Sequence, residues 1–173
     1  MQYSGIIHND ITATSGLSLT LFVQGCPHHC FGCHNADTWD FDGGIEFTID
    51  TLDEILANLN AQGIKRNFCL MGGEPLCDEN LFLSNLVISV IKEELPDTPI
   101  YVWTGYTLEE LQRRNNPKVD NILNTIDCLI DGPYKAEERD ITLEMRGSRN
   151  QKIYYLKESC NGSNEKSSVI KNS

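Results

Sequence analysis

The sequence predicts an α/β fold with a mostly parallel sheet, arranged as a partial, open (βα) barrel. Apolar stretches of strand length alternate with amphipathic helical stretches, and successive strands lie roughly 30 residues apart, as in β-α-β units. The chain has 173 residues, whereas a complete eightfold barrel takes about 250. We therefore expect one open domain over residues 1–158. A disordered tail is expected at 159–173, where Ser, Asn, Lys and Glu predominate.

The first predicted core strand spans residues 17–23. Apolar and polar residues alternate from Leu17 to Leu21, which is the two-residue period of a strand. Phe22 interrupts the polar face, so we expect this strand to be buried on both sides. Residues 1–16 mix apolar residues with turn formers and are predicted to be a lead-in arm, with a short edge strand at most.

Three helices are predicted from the periodicity of apolar residues and from residues that typically start or end a helix. Thr51 and Glu54 suggest a capping box for the first helix, and Gly63 fits its end. The second helix is expected from about Glu79 to Pro96. A third begins at a capping box of Thr107 and Glu110 and is broken at residues 115–117.

The remaining strands are predicted at residues 67–71, 100–103, 126–130 and 153–156. In parallel sheets, ligands gather at the carboxyl ends of the strands. Four turns follow strands in this way, so we expect them to converge on one edge: the cysteine-rich loop after Val23, the turn at residues 72–75, Thr104-Gly105, and Asp131.

Composition excludes several classes of protein. The formal charge of −11 argues against a nucleic-acid partner, which would need clustered Lys and Arg. No apolar run approaches the roughly 18 residues that span a bilayer, and we expect no signal peptide. Seven cysteines in such a chain indicate a reducing, cytoplasmic setting and metal binding rather than disulfides.

Three of these cysteines, Cys26, Cys30 and Cys33, fall within eight residues. Fully extended, the loop would span about 25 Å, yet the ligands of one metal centre lie a few ångströms apart, so the loop must curl. Thiolates are the ligands that iron–sulfur clusters and structural zinc select. Three cysteines would leave one corner of a four-iron cube without a protein ligand. The other four are predicted not to be ligands: Cys69, Cys77, Cys128 and Cys160.

The spacing Cys-x3-Cys-x2-Cys resembles the cluster loop of the radical S-adenosylmethionine (SAM) superfamily. Residues 72–75, Gly-Gly-Glu-Pro, resemble the motif by which that superfamily binds SAM. The resemblance implies a partial barrel of the radical SAM type, one 4Fe-4S cluster per chain and SAM as cofactor. No catalytic side chain is implied beyond the cluster and SAM.

The same resemblance implies contacts between this chain and SAM. The glycines would let the main chain approach the methionine end, and Glu74 would lie beside its amino group. Residues near the third cysteine would face the adenine, whereas His28 and His29 are expected to face solvent. The predicted cofactor-binding residues, the last two by position alone, are Gly32, Cys33, His34, Gly72, Gly73, Glu74, Thr104 and Asp131.

Further motifs resemble the family of anaerobic ribonucleoside-triphosphate reductase activating proteins. They include the sequence from Gly25 to Asn35, Thr38-Trp39, Trp103 to Tyr106, Asp131 to Tyr134 and Arg146 to Gln151. The resemblance implies that a 5′-deoxyadenosyl radical generates a glycyl radical on the large reductase subunit. It also implies a reducing electron donor such as flavodoxin. One departure is residues 14–18, where the family has Gly-Pro-Gly-Thr-Arg and this chain has no arginine.

Two alternatives are compatible with the cysteine loop. A small-molecule radical SAM enzyme, such as a 7-carboxy-7-deazaguanine synthase, would share the loop and the small size. It should carry basic and aromatic groups for its substrate, and we see no such set. A zinc-binding interaction module would use the three cysteines and a nearby histidine, but it leaves the Gly-Gly-Glu-Pro sequence unexplained.

Overall fold

A computed structural model describes residues 2–157, which form a seven-stranded sheet with helices against it. The predicted tail at 159–173 lies outside these residues. The strands are β1 (Gln2–Asp10), β2 (Ser18–Val23), β3 (Ile45–Glu46), β4 (Asn67–Gly72), β5 (Ile100–Trp103), β6 (Cys128–Asp131) and β7 (Lys152–Tyr155). The α-helices are α1 (Ile49–Leu59), α2 (Asp78–Glu94), α3 (Leu108–Arg113) and α4 (Pro117–Thr125).

The sheet has the order β3-β1-β2-β4-β5-β6-β7 and does not close. Its centre, β2-β4-β5-β6, is parallel, whereas β1 and β7 run antiparallel to their neighbours β2 and β6. The prediction of an α/β fold with an open, mostly parallel sheet is therefore confirmed. The parallel centre brings the ends of four strands to one edge.

The two faces of the sheet bury different side chains. Alternate strand residues such as Leu21, Leu70 and Val102 point to one face, where they form the main core with apolar residues of all four α-helices. The opposite face carries Cys69, Tyr101 and other residues of a smaller cluster that, within residues 2–157, contains no helical residue. Cys69 and Cys128 are buried there as small apolar side chains.

Helix α1 begins one turn earlier than the sequence predicted. Its N-cap is Thr48, whose extended backbone lets the side-chain oxygen accept the amide of Thr51 at 3.3 Å. The predicted box of Thr51 and Glu54 is therefore wrong, because Thr51 is the third helical residue. The helix also ends before Gly63, at Leu59. The box of Thr107 and Glu110 at the start of α3 is confirmed.

Two other elements differ from the prediction. Helix α4 was not predicted, although Asn116 caps it and Pro117 occupies its first turn. The expected lead-in arm is largely β1, a nine-residue strand that pairs with both β2 and β3. Within residues 2–157, no helix is both long and apolar enough to cross a membrane.

Candidate metal centre and cofactor pocket

A cavity of about 150 Å³ lies at the carboxyl edge of the parallel strands. It is lined by residues of three of the expected turns and by Gly132, which follows Asp131 in the fourth, so the predicted convergence is present in the structure. The lining includes Cys26, Cys30, Cys33, Gly72, Gly73, Glu74, Thr104, Gly105 and Gly132. A separate cavity of about 160 Å³, which includes Asn60, Arg66 and Pro99, lies at the opposite edge of the sheet and contains no cysteine.

The cysteine loop is curled and tied to the segment that follows it. The amide of Gly25 donates to Thr38 at 2.7 Å, and that of Cys26 donates to Trp39 at 3.1 Å. His29 and Gly32 both have a positive φ, of 46° and 73°, and the Cys33 amide donates to the Cys30 carbonyl at 3.1 Å across a tight turn. The loop therefore brings three cysteines to the wall of one cavity.

Burial controls the protonation of these thiols. It raises the pKa of Cys26 to about 11, and the nearby Glu74 charge adds to the effect, while amides of the loop partly offset it. Burial also raises the pKa of Cys30, to which neighbouring Cys33 contributes. Near neutral pH, metal binding must therefore displace protons from at least these two thiols.

Three thiols on the wall of one cavity are a donor set that an iron–sulfur cluster can use. Structural zinc needs its ligand atoms about 2.0–2.3 Å from one point. Among residues 2–157, no three His, Cys, Asp or Glu side chains form a group that could hold one metal ion. Three thiols around a shared cavity fit a larger iron–sulfur group, in which each cysteine binds a different iron.

The two glycines at the end of β4 pack against protein backbone. Gly72 has φ +106°, and a Cβ there would stand 2.8 Å from Phe22 Cα. A Cβ on Gly73 would stand 2.3 Å from the carbonyl oxygen of Gly25. At both positions, the space that a side chain would need is taken by the end of β2 and the start of the cysteine loop. Both glycines still line the cavity.

Glu74 is buried with 1% exposure, and its carboxylate accepts hydrogen bonds from several donors. Oε1 accepts from Thr104 Oγ1 at 2.7 Å and from the Leu76 amide at 2.9 Å. Oε2 accepts from the Gly105 amide at 2.7 Å and from His28 Nε2 at 3.0 Å. A buried carboxylate is costly unless it is hydrogen-bonded, and these donors hold Glu74 in one orientation at the cavity wall.

Three predicted cofactor residues are not among those lining the cavity. Asp131 accepts hydrogen bonds from the Leu108 amide at 2.7 Å and the Lys152 amide at 3.3 Å, so it fixes the starts of α3 and β7. Burial raises the pKa of Asp131. Gly32 lies beside Ala136 and Tyr134. The His34 ring is 5.9 Å from the Tyr134 ring. Contact between these residues and a cofactor stays a prediction.

The expectation that His28 faces solvent is wrong. Its ring contacts the buried Glu74 carboxylate and lies 4.5 Å from the Tyr106 ring. Glu74 is 46 positions away in the sequence, so no local pattern could reveal the contact. His29 is exposed, as predicted, and stacks on Trp39 with ring centroids 4.8 Å apart.

Several further cavity residues appeared in the sequence analysis only as parts of motifs that resemble the family, with no predicted role in the site. Trp39, Trp103 and Tyr134 line the cavity. Gln151, which also lines it, comes directly before β7, and its side chain accepts the amides of Gly147 and Ser148. The segment from Arg146 to Gln151 is thus a turn held by Gln151 and also part of the wall.

The segment that departs from the family sequence lies at the other end of β2. Thr14 Oγ1 is 2.8 Å from Ser18 Oγ and accepts the side-chain amide of Asn67 at 2.8 Å. Ser18 begins β2, whereas the cysteine loop follows its last residue, Val23. The missing arginine is therefore separated from the cavity by the length of the strand.

Comparisons with known proteins agree with this site. Residues 13–154 match the family model described as 4Fe-4S single cluster domain. An anaerobic ribonucleoside-triphosphate reductase-activating protein of Vibrio cholerae is 39% identical over 155 residues, which cover 89% of this chain and 97% of that protein. Proteins of the same name from Pasteurella multocida and Escherichia coli are 41% and 37% identical. The matches cover 89% and 91% of this chain, and 97% and 100% of those relatives.

Proposed function

Because this chain belongs to the family of anaerobic ribonucleoside-triphosphate reductase-activating proteins, we propose that it activates such a reductase. The proposed activation generates a glycyl radical on the large reductase subunit. The chain would work as a radical SAM enzyme with one 4Fe-4S cluster. A reducing electron donor such as flavodoxin would supply the electron.

One observation carries the proposal: the three thiols and the buried Glu74 carboxylate line the same cavity. Cys26, Cys30 and Cys33 would hold three irons and leave the fourth without a protein ligand. When bound, the cluster and SAM together supply one-electron cleavage of the sulfonium to a 5′-deoxyadenosyl radical. The protein itself contributes binding, orientation and exclusion of water.

Glu74 would lie beside the amino group of SAM and attract its positive charge. The Glu74 charge is buried at the wall of the cavity, where attraction to an ammonium is stronger than in water. Donors from Thr104, Gly105 and Leu76 fix the carboxylate, so it would not need to reorganise when the ammonium arrives.

A protein substrate must bring its glycine to this cavity. Because the sheet ends at β3 and β7 and does not close, we propose that a loop of the reductase enters from the open side. Aromatic side chains of Trp103 and Tyr134 line the cavity and would exclude water around the reacting glycine.

Electron paramagnetic resonance tests this function directly. Protein reconstituted anaerobically should be brown and contain about four irons per chain. After reduction and mixing with SAM and the large reductase subunit, a glycyl radical signal is expected. Deoxyadenosine formed without that signal would favour a small-molecule radical enzyme. Colourless protein with one tightly bound zinc would overturn the enzyme proposal.

A further inference from the structure

We propose that His28 is a positioning residue that fastens the cysteine loop to the Glu74 turn. The inference rests on the proposed function and deepens it. Through His28, the loop that would hold the cluster and the carboxylate that would hold the SAM amino group keep one relative placement.

His28 occupies a slot formed by residues from a different part of the chain. Its Nε2 donates to Glu74 Oε2 at 3.0 Å, and its ring meets the Tyr106 ring edge-on at 4.5 Å. A Cβ at Gly105 would stand 2.5 Å from the His28 ring. Any side chain at position 105 would therefore displace the imidazole, so the glycine gives the histidine its room.

The slot is held in place independently of His28. Glu74 also accepts from Thr104, Gly105 and Leu76. The Arg114 guanidinium lies over the Tyr106 ring, 5.4 Å from its centroid. Arg114 also donates to the Leu76 carbonyl and to the Asp78 carboxylate. Glu74 and Tyr106, which contact His28, are thus linked to α2 and α3.

The other side of the contact is the cysteine loop itself. His28 stands two residues after Cys26 and two before Cys30, so fixing its ring restricts the backbone between the two thiols. Its side chain is 20% exposed, while that of Glu74 is 1% exposed. Hydrogen bonds to charged groups in such shielded sites are stronger than neutral ones.

The neighbouring histidine provides a matched control. His29 lies in the same loop, but it is exposed and its ring stacks on Trp39 instead. A general effect of losing an imidazole from the loop should therefore appear in both variants. An effect specific to the Glu74 contact should appear only at position 28.

The first test measures amide hydrogen exchange over residues 26–33 in the protein before cluster assembly. His28→Ala should speed exchange about tenfold or more, because a shielded hydrogen bond is lost. His28→Gln, which keeps a donor, should restore much of the protection, and His29→Ala, which loses only an exposed ring contact, should change exchange much less than His28→Ala. Equal exchange in His28→Ala and the unchanged protein would overturn the inference.

The second test uses the reconstituted protein. His28→Ala should release iron to a chelator several-fold faster than His29→Ala and should raise the KM for SAM more than it lowers kcat. Failure of the proposed function is distinguishable, because the exchange experiment requires neither cluster nor SAM. If the unchanged protein makes the glycyl radical and His28→Ala equals it in exchange, iron release and KM, the inference alone fails.

Discussion

Gly73 packs directly against Gly25, so that a Cβ at position 73 would lie 2.3 Å from the Gly25 carbonyl oxygen. Two hydrogen bonds accompany this contact, from the Gly73 amide to Val23 at 2.9 Å and from the Glu74 amide to Gly25 at 2.8 Å. The turn after β4 and the cysteine loop are therefore parts of one packed unit. The Gly-Gly-Glu-Pro motif at residues 72–75 therefore needs glycine at position 73 for this packing, independently of any contact with a ligand.

Replacing Gly73 by alanine should be destabilising. The new methyl group meets backbone rather than a movable side chain, so the turn or the loop must shift, which costs about 1–3 kcal/mol. Urea unfolding should show this loss. Gly5→Ala is the control, because a Cβ there has nothing within 4 Å. Equal stability of the two variants would contradict the packing argument.

Glu74→Gln should lower both stability and affinity for SAM. The amide nitrogen cannot accept, so at least one buried donor loses its partner, which costs about 1–3 kcal/mol. The lost charge should weaken SAM binding about tenfold in calorimetry. Glu137→Gln removes the same charge from an exposed position and should change neither quantity. Unchanged SAM binding by Glu74→Gln would contradict the assigned role.

Cys30→Ala should abolish reductive cleavage of SAM. The loss of one of three thiolates disrupts the cluster, so deoxyadenosine formation should fall to background. Cys160→Ala, which changes a cysteine outside the described residues, should retain full cleavage. An active Cys30→Ala variant together with an inactive Cys160→Ala variant would show that the ligands are misassigned.

Asp10 should make the free energy of unfolding depend on pH in the acidic range. Burial tends to raise its pKa, but hydrogen bonds from Thr12, Ala13 and Thr20 outweigh it and leave the pKa below the ordinary 3.8. Its contribution is therefore full above pH 3.8 and is lost as the pH falls through the lower folded value. Asp10→Asn should be less stable at neutral pH, by about 1–3 kcal/mol.

Unfolding measured across this range should show the difference between Asp10→Asn and the unchanged protein shrinking as the pH falls. The exposed Asp53 supplies a control, since Asp53→Asn should leave the unfolding curve at neutral pH nearly unchanged. A difference that stays constant down to pH 3 would place the acid sensitivity elsewhere.

The features predictable from the sequence were those encoded locally. Alternating and continuous apolar residues located the central strands, for instance at Ile100–Trp103. Parallel topology then placed the four turns at one edge without knowledge of any contact. Thr107 and Glu110 were recognisable because both members of a capping box lie within one turn of helix.

The errors had two physical origins. Some local signals were present but misjudged: Asn116 and Pro117 open α4, and Thr48 rather than Thr51 caps α1. Other features depend on contacts between distant segments. Neither the pairing of His28 with Glu74 nor the packing of Gly73 on Gly25 follows from periodicity, because each arises only when β2 and β4 lie side by side.

Strand β7 pairs with β6 and follows directly on Gln151, a residue of the cavity wall. During synthesis on a ribosome, the cysteine loop emerges long before this strand does. The pocket therefore cannot be completed while residues 151–155 remain in the exit tunnel. If a cluster is assembled in the finished pocket, its assembly must accordingly wait until these residues have left the tunnel.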